Sequence, residues 1–188
     1  DGGLMDLKMG VIDPGLRCKT DGSKVKDSIG YFGYIELARP VVHINFINLV
    51  LKVLKASCAE CGRVLMSPEK IKKAVSELDK IYKKQGIDPW RARSAELLGT
   101  VKNVGKCPHC RAKQPKISLE KPYTFLEDDK RIFPIEVRAR LEKIPDDDYK
   151  ILGINPEAMR LEWAVLTVLP IPPVTMRTSI TLESGERS

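Results

Sequence analysis

Apolar and polar positions alternate with a helical period through the middle of the chain and lose that period toward both ends. Residues 1–30 are rich in Gly, Asp and Lys and predict no regular element. Within Gly30–Pro40, the run Tyr34–Ala38 predicts a short strand that Pro40 should stop. Residues 43–56 predict a helix. Its polar positions Asn45, Asn48, Lys52 and Lys55 lie three, four and three apart, which gathers them into one narrow stripe. Such a helix is buried on most of its circumference and is the candidate for the central core element.

Arg63–Met66 predicts a short strand. Ser67 and Pro68 then supply an N-cap and a first helical residue. The helix runs to about Gln85, with Ile71, Val75, Leu78 and Tyr82 facing inward, and Gly86 ends it. Asp88 and Pro89 open a second helix with Trp90, Leu97 and Val101 on one face. The two helices form a hairpin. Residues 116–126 read as extended, and residues 133–144 as a helix burying Val137, Leu141 and Ile144. Asp146, Asp147 and Asp148 follow Pro145 at a helix start, where negative charge is favoured, so they predict a cap in preference to a metal site. Gly153 closes that helix. Ala164–Leu169 predicts an apolar strand ended by Pro170, Pro172 and Pro173. The sum is an α+β fold: an irregular module with a helical hairpin and short antiparallel strands.

A length of 188 residues allows one substantial domain or two small ones. With 43% hydrophobic and 30% charged residues, the composition is that of a soluble globular chain. The net charge of +7 favours a polyanionic partner such as nucleic acid, with ordinary surface charge as the alternative. Lysines dominate the outer surface of the 68–85 helix and read as a solvated face, with a phosphate-facing patch as the alternative. The longest apolar run, Ile44–Leu54, is broken by Asn45, Asn48 and Lys52 and falls short of the ~20 residues a membrane helix needs. No signal peptide is visible. The expectation is a cytoplasmic chain without a membrane partner, and its abrupt ends read as cuts through a longer polypeptide.

Five cysteines are present, and four form two Cys-x-x-Cys pairs: Cys58 with Cys61, and Cys107 with Cys110. Each pair makes a tight turn that aims two thiolates at one point. Together they supply the four sulfurs of a tetrahedral zinc site. Gly62 and Pro108 suit such turns, and Arg63, Lys106 and Arg111 can offset the negative charge of four thiolates. A disulfide framework would imply export, and a thioredoxin-like pair would leave the second pair idle. His109, inside the second turn, is either a competing ligand or a turn residue. A closed four-sulfur site leaves no coordination position for catalysis. The chain has no phosphate-cradling Gly-rich loop and no Ser/His/Asp set. His43 reads as a packed residue instead of a base. No active site is recognisable.

Several strings then match a family. They are Gly10–Cys18 (GVIDPGLRC), Phe32–Pro40 (FGYIELARP), the two cysteine turns, Leu152–Pro156 (LGINP), and Glu162-Trp163 followed by Thr167–Pro173 (TVLPIPP). In this order they resemble the N-terminal part of the largest subunit of multisubunit DNA-directed RNA polymerases, closest to the archaeal form. The resemblance implies a zinc-stapled clamp-head module. Its segments would be an N-terminal clamp-core segment (1–57), a zinc-bound head with the helical hairpin (58–110) and a return segment (111–188). It implies a part in a nucleotidyltransferase that makes RNA on DNA, in which this stretch helps a mobile clamp close over the template. Partners would be DNA, the other polymerase subunits including the second-largest, and transcription factors bound through the clamp. The catalytic Mg2+ would lie on an Asp-rich loop beyond this stretch. Lys102, Lys106, Arg111, Lys113 and Lys116, around the second cysteine turn, are the candidate DNA-backbone contacts. A stand-alone zinc domain that binds nucleic acid or protein is the alternative.

One departure from the family pattern is informative. The family carries another zinc site near its start, with ligands Cys-x-x-Cys and Cys-x-x-His. Here the four positions read Cys18, Asp21, Ser28 and Tyr31. One thiolate of four ligands remains, so this site is expected not to bind zinc, and the loop must be held by packing, with Tyr31 as a candidate filler. Smaller departures are Arg160-Leu161-Glu162-Trp163 and Arg177-Thr178-Ser179, where the family has a proline after each arginine.

Overall fold

The structure, a computed structural model, describes residues 2–101 and 104–179. Their architecture is α+β, with five helices, five short strands and several single 3-10 turns among the described residues. The chain divides into two compact units, one of residues 39–166 and one built from the ends of the chain, residues 1–38 and 167–188.

The larger unit holds the main core. Strand β1 (Gly33–Val42) leads through a 3-10 turn into helix α1 (Ile47–Ala56). The turn is capped by His43, whose Nδ1 accepts the Asn45 N–H at 3.2 Å and whose ring packs on Phe46. Val50, Val53 and Leu54 of α1 are buried, while Asn48, Lys52 and Lys55 form the exposed stripe. Helix α2 (Pro68–Gln85) and helix α3 (Ile87–Gly99) are joined through Gly86 and pack against each other, giving the expected hairpin. Ile71, Ala74, Leu78 and Trp90 fill their interface with the core. Ser67 occupies the N-cap of α2 without a side-chain cap bond. Tyr82 departs from expectation: it is 53% exposed, near the free end of the hairpin, and packs edge-on with Trp90 at 5.7 Å between ring centroids. The expected strand at Arg63–Met66 is reduced to one bridge between Ser57 and Val64.

A three-stranded antiparallel meander follows, made of β2 (Ile117–Glu120), β3 (Thr124–Glu127) and β4 (Lys130–Ile132). Ile117, Phe125 and Ile132 are its buried positions, and Phe125 faces Ile132 across the β3–β4 pair. Helix α4 (Pro134–Glu142) buries Val137 and Leu141, and Ile144 lies just beyond it. The Phe133 N–H donates to the Glu136 carboxylate at 2.7 Å and so fixes the helix start. The short helix α5 (Asp146–Tyr149) comes next, followed by β5 (Val165–Ile171).

β1 and β5 pair as a two-stranded sheet, and the boundary between the units falls within both strands. Both contain a proline where a stop was expected: Pro40 sits inside β1 and Pro170 inside β5. A two-stranded sheet is all edge, so a proline can turn its missing N–H outward without breaking a ladder bond. For the same reason β5 is not the buried apolar strand its sequence suggests; Val168 and Leu169 are 40% and 39% exposed.

The smaller unit has few buried apolar side chains. Among the described residues these are Met9, Val11, Cys18, Pro173 and Val174. Local hydrogen bonds do more of the holding here. The Tyr31 N–H donates to the Met9 carbonyl at 3.2 Å, and the Arg177 guanidinium donates to the Leu4 and Pro172 carbonyls.

Candidate metal centre

The four cysteines of the two Cys-x-x-Cys pairs meet in one place, with all four sulfurs within 4.8 Å of one another. Cys58 Sγ lies 3.5 Å from Cys110 Sγ, and Cys61 Sγ lies 3.7 Å from Cys107 Sγ. A tetrahedral ion with metal–sulfur bonds of about 2.3 Å sets its sulfurs about 3.8 Å apart. The donor set therefore fits one closed four-sulfur ion.

Two turns with the same backbone wiring create this convergence. In the first, the Cys58 N–H donates to the Arg63 carbonyl at 2.9 Å and the Gly62 N–H to the Cys58 carbonyl at 3.0 Å. In the second, the Cys107 N–H donates to the Ala112 carbonyl at 2.9 Å and the Arg111 N–H to the Cys107 carbonyl at 3.0 Å. The residue after the second cysteine is left-handed in both, Gly62 at φ 74° and Arg111 at φ 65°. At Gly62 glycine is required twice over, because a Cβ would also fall 2.5 Å from the Lys143 carbonyl oxygen. Arg111 occupies the equivalent place at a steric cost. Each turn is closed by an antiparallel bridge, Ser57 to Val64 in the first and Lys106 to Lys113 in the second.

Backbone N–H groups also aim at the sulfurs. The Cys61 N–H reaches Cys58 Sγ at 3.5 Å, and the His109 N–H reaches Cys107 Sγ at 3.4 Å. Burial alone would push the Cys58 thiol up, but the N–H groups of Cys61 and Glu60, with Cys110 and Cys61 beside it, bring it down to about 7. Burial pushes the Cys61 thiol up to about 12, with the neighbouring sulfurs adding to the rise. The set thus accepts one negative charge readily and resists the next, a conflict that a bound cation relieves.

Two residues that the sequence did not assign to this site brace the turns. Gln114 bridges them: its Oε1 accepts the Ala59 N–H at 3.2 Å, and its Nε2 donates to Cys58 Sγ at 3.3 Å and to the Ala112 carbonyl at 2.9 Å. Asp148 is fully buried and clamps the first turn. Its carboxylate receives Arg63 Nε at 2.9 Å, Arg63 Nη2 at 3.1 Å and the Val64 N–H at 2.8 Å. The acidic run is therefore divided in its work. Asp148 supports the cysteine turn, Asp146 pairs with Arg160, Asp147 is exposed, and none of them makes a side-chain cap bond. Arg63, expected to offset thiolate charge, has its guanidinium committed to Asp148. His109 directs Nε2 to the Val64 carbonyl at 3.2 Å, tying the second turn to the segment that leaves the first.

The candidate nucleic-acid contacts Lys106, Arg111, Lys113 and Lys116 are all exposed, and Lys102 lies outside the described residues. Lys106 and Lys113 stand directly opposite each other in their bridge. None of the four exposed side chains takes part in an ion pair among the described residues.

At the four positions of the additional family zinc site the side chains do not fit the ion. They offer one buried thiol, one carboxylate, one hydroxyl and one phenol. The Tyr31 hydroxyl donates to Asp21 Oδ2 at 3.0 Å, and Ser28 Oγ is buried without a hydrogen-bond partner among the described residues.

Residues 1–188 match the family described as RNA polymerase Rpb1, domain 1. The chain belongs to this family. Among relatives, it is 49% identical over 192 residues to the DNA-directed RNA polymerase subunit Rpo1N of Methanocaldococcus jannaschii, covering all of this chain and 14% of that protein. It is 49% identical over 189 residues to the Rpo1N of Methanothermobacter thermautotrophicus, with 100% and 21% covered, and 50% identical over 194 residues to that of Thermoplasma acidophilum, with 99% and 21% covered. The chain thus spans about a fifth or less of the length of these relatives. As a member of the Rpb1 family it corresponds to the N-terminal region of the polymerase largest subunit. No helix among its described residues is long and apolar enough to cross a membrane.

Proposed function

We propose that this chain is part of the mobile clamp of a multisubunit DNA-directed RNA polymerase, a nucleotidyltransferase of the cytoplasm, and helps close the cleft over DNA during transcription. Family membership over the whole chain supports the polymerase assignment. The convergence of four sulfurs from two matching turns carries the reading of its physical role. One Zn2+ held by Cys58, Cys61, Cys107 and Cys110 staples the base of the α2–α3 hairpin and makes the clamp head a rigid body. Binding of a structural zinc supplies on the order of 10 kcal/mol of folding free energy. Four thiolates fill its coordination sphere, so the ion is structural, and the Mg2+ chemistry of RNA synthesis belongs to the rest of the enzyme. The remaining polymerase subunits, the second-largest among them, and transcription factors that bind the clamp are its protein partners.

Lys106, Arg111, Lys113 and Lys116, with Lys102, contribute positive charge toward the DNA backbone. Like charges placed directly across a bridge repel, and an anion between Lys106 and Lys113 would relieve that repulsion. Such contacts hold phosphates without reading sequence. The test is DNA affinity of the assembled polymerase across a salt series. The paired change Lys106→Glu and Arg111→Glu is expected to weaken binding equally on unrelated sequences and to flatten the log–log salt dependence by about 2. Unchanged affinity and slope would remove this patch from the interface.

A further inference from the structure

We infer that residues 18–31 form a third knuckle that folds without metal, in which the Asp21 carboxylate replaces an ion as the point on which side chains converge. This goes beyond the clamp reading and stands independently of it.

The backbone carries the first half of the inference. The Cys18 N–H donates to the Ser23 carbonyl at 2.9 Å, and the Gly22 N–H donates to the Cys18 carbonyl at 2.8 Å. These are the two bonds that define the Cys58 and Cys107 turns, at the same sequence offsets. Gly22 is left-handed at φ 73°, matching Gly62 and Arg111. Three segments of the chain therefore share one turn, and in this one Asp21 stands where the others have their second cysteine. Cys18, in the first ligand position, is buried at 2% exposure.

The side chains carry the second half. Asp21 Oδ1 accepts the Ser23 N–H at 2.9 Å and the Ser23 hydroxyl at 2.7 Å, while Oδ2 accepts the Tyr31 hydroxyl at 3.0 Å. The Cys18 thiol lies beside the same carboxylate and acts as a further donor. Ser23 chiefly, then Cys18 and Tyr31, hold the Asp21 carboxyl down at about 2. The Asp21 carboxylate in turn raises Tyr31, so the phenol keeps its proton and remains a donor. The polarity of a zinc knuckle is thereby reversed. In the cysteine centre, anions converge on a cation; here, hydrogen-bond donors converge on an anion. Introducing a dication would require the thiol and the phenol to lose the protons that make these bonds. Ser28, in the third ligand position, takes no part, and its buried hydroxyl has no partner among the described residues.

Zinc content and amide hydrogen exchange of the full chain test the inference. Cys18→Ser and Asp21→Ala should leave the number of zinc ions per chain unchanged, whereas Cys107→Ser should lower it by about one. In the unsubstituted protein, a chelator should expose the amides of Cys58 and Gly62 to exchange and leave those of Cys18 and Gly22 protected. Tyr31→Phe should speed exchange at Cys18 and Gly22 roughly tenfold, the loss of one hydrogen bond to a charged group. The triple change Asp21→Cys, Ser28→Cys and Tyr31→His should add about one zinc per chain. Loss of zinc from Cys18→Ser, or chelator-induced exchange at Cys18 and Gly22 in step with Cys58 and Gly62, would overturn the metal-free reading. A triple variant with unchanged zinc content would overturn the knuckle geometry.

Discussion

The Cys58 turn and the Cys18 turn share their backbone and differ in what their side chains meet. The first directs two sulfurs at two more from a distant part of the chain. The second directs one carboxylate at donors no further away than Tyr31. The backbone bonds and the left-handed fifth residue therefore define the turn by themselves, and the side chains decide whether a metal is needed to keep it. Sequence separation adds little to the division, since closing the longer Cys58–Cys107 loop costs only about 1 kcal/mol more than closing the Cys18–Tyr31 loop. The side-chain chemistry at the ligand positions makes the difference: four thiolates in one place and hydrogen-bond donors around a carboxylate in the other.

Metal removal separates the two most sharply. Chelation, or Cys58→Ser, is expected to destabilise the larger unit by on the order of 10 kcal/mol, read as loss of helical circular dichroism together with zinc release. The next effect belongs to Asp148. Asp148→Ala strands the Val64 N–H and leaves Arg63 unpaired beside the first turn, a loss of about 3 kcal/mol measurable by urea unfolding. Glycine substitutions then compare the turns directly. Gly22→Ala meets open space and costs only the left-handed strain, about 1 kcal/mol. Gly62→Ala adds a collision with the Lys143 carbonyl and should cost clearly more in the same assay. The smallest effect should be a gain: Arg111→Gly relieves the strained position of the second turn by about 0.5–1 kcal/mol.

Acid distinguishes them as well. Protons compete with metal for thiolates, so the cysteine centre weakens as pH falls. The Asp21 contribution has the pH window of a depressed carboxyl. It is fully present above the ordinary value of 3.8 and is lost as pH falls through about 2. Fluorescence of Tyr31 and zinc release followed over the same acid titration should therefore change in separate steps, zinc first.

Much of the cysteine centre was legible because its signals are local. Two Cys-x-x-Cys pairs, Gly62, and the period of α1 and α2 each lie within a few residues. Gln114 and Asp148 carried no such mark, since their partners are set by the tertiary path. Asp148 sits within an acidic run that reads equally well as a cap. The two prolines inside β1 and β5 misled for a related reason. Whether a proline ends a strand depends on which edge is free, and that is fixed by pairing between the two ends of the chain. Tyr82 kept the helical period but outran the core near the end of its helix.

The hairpin that rises from the cysteine turns has a mechanical consequence. Helix α2 has 18 residues, so Gly86 stands about 27 Å from the start of that helix. A load applied sideways at Gly86 is magnified at the base in proportion to that lever. Along α2 the load is shared by Arg93 with Glu77 and by Lys150 with Asp79, both partly exposed pairs. At the foot, the two cysteine turns stand at the short end of that lever, so a load on the tip is felt there as torque.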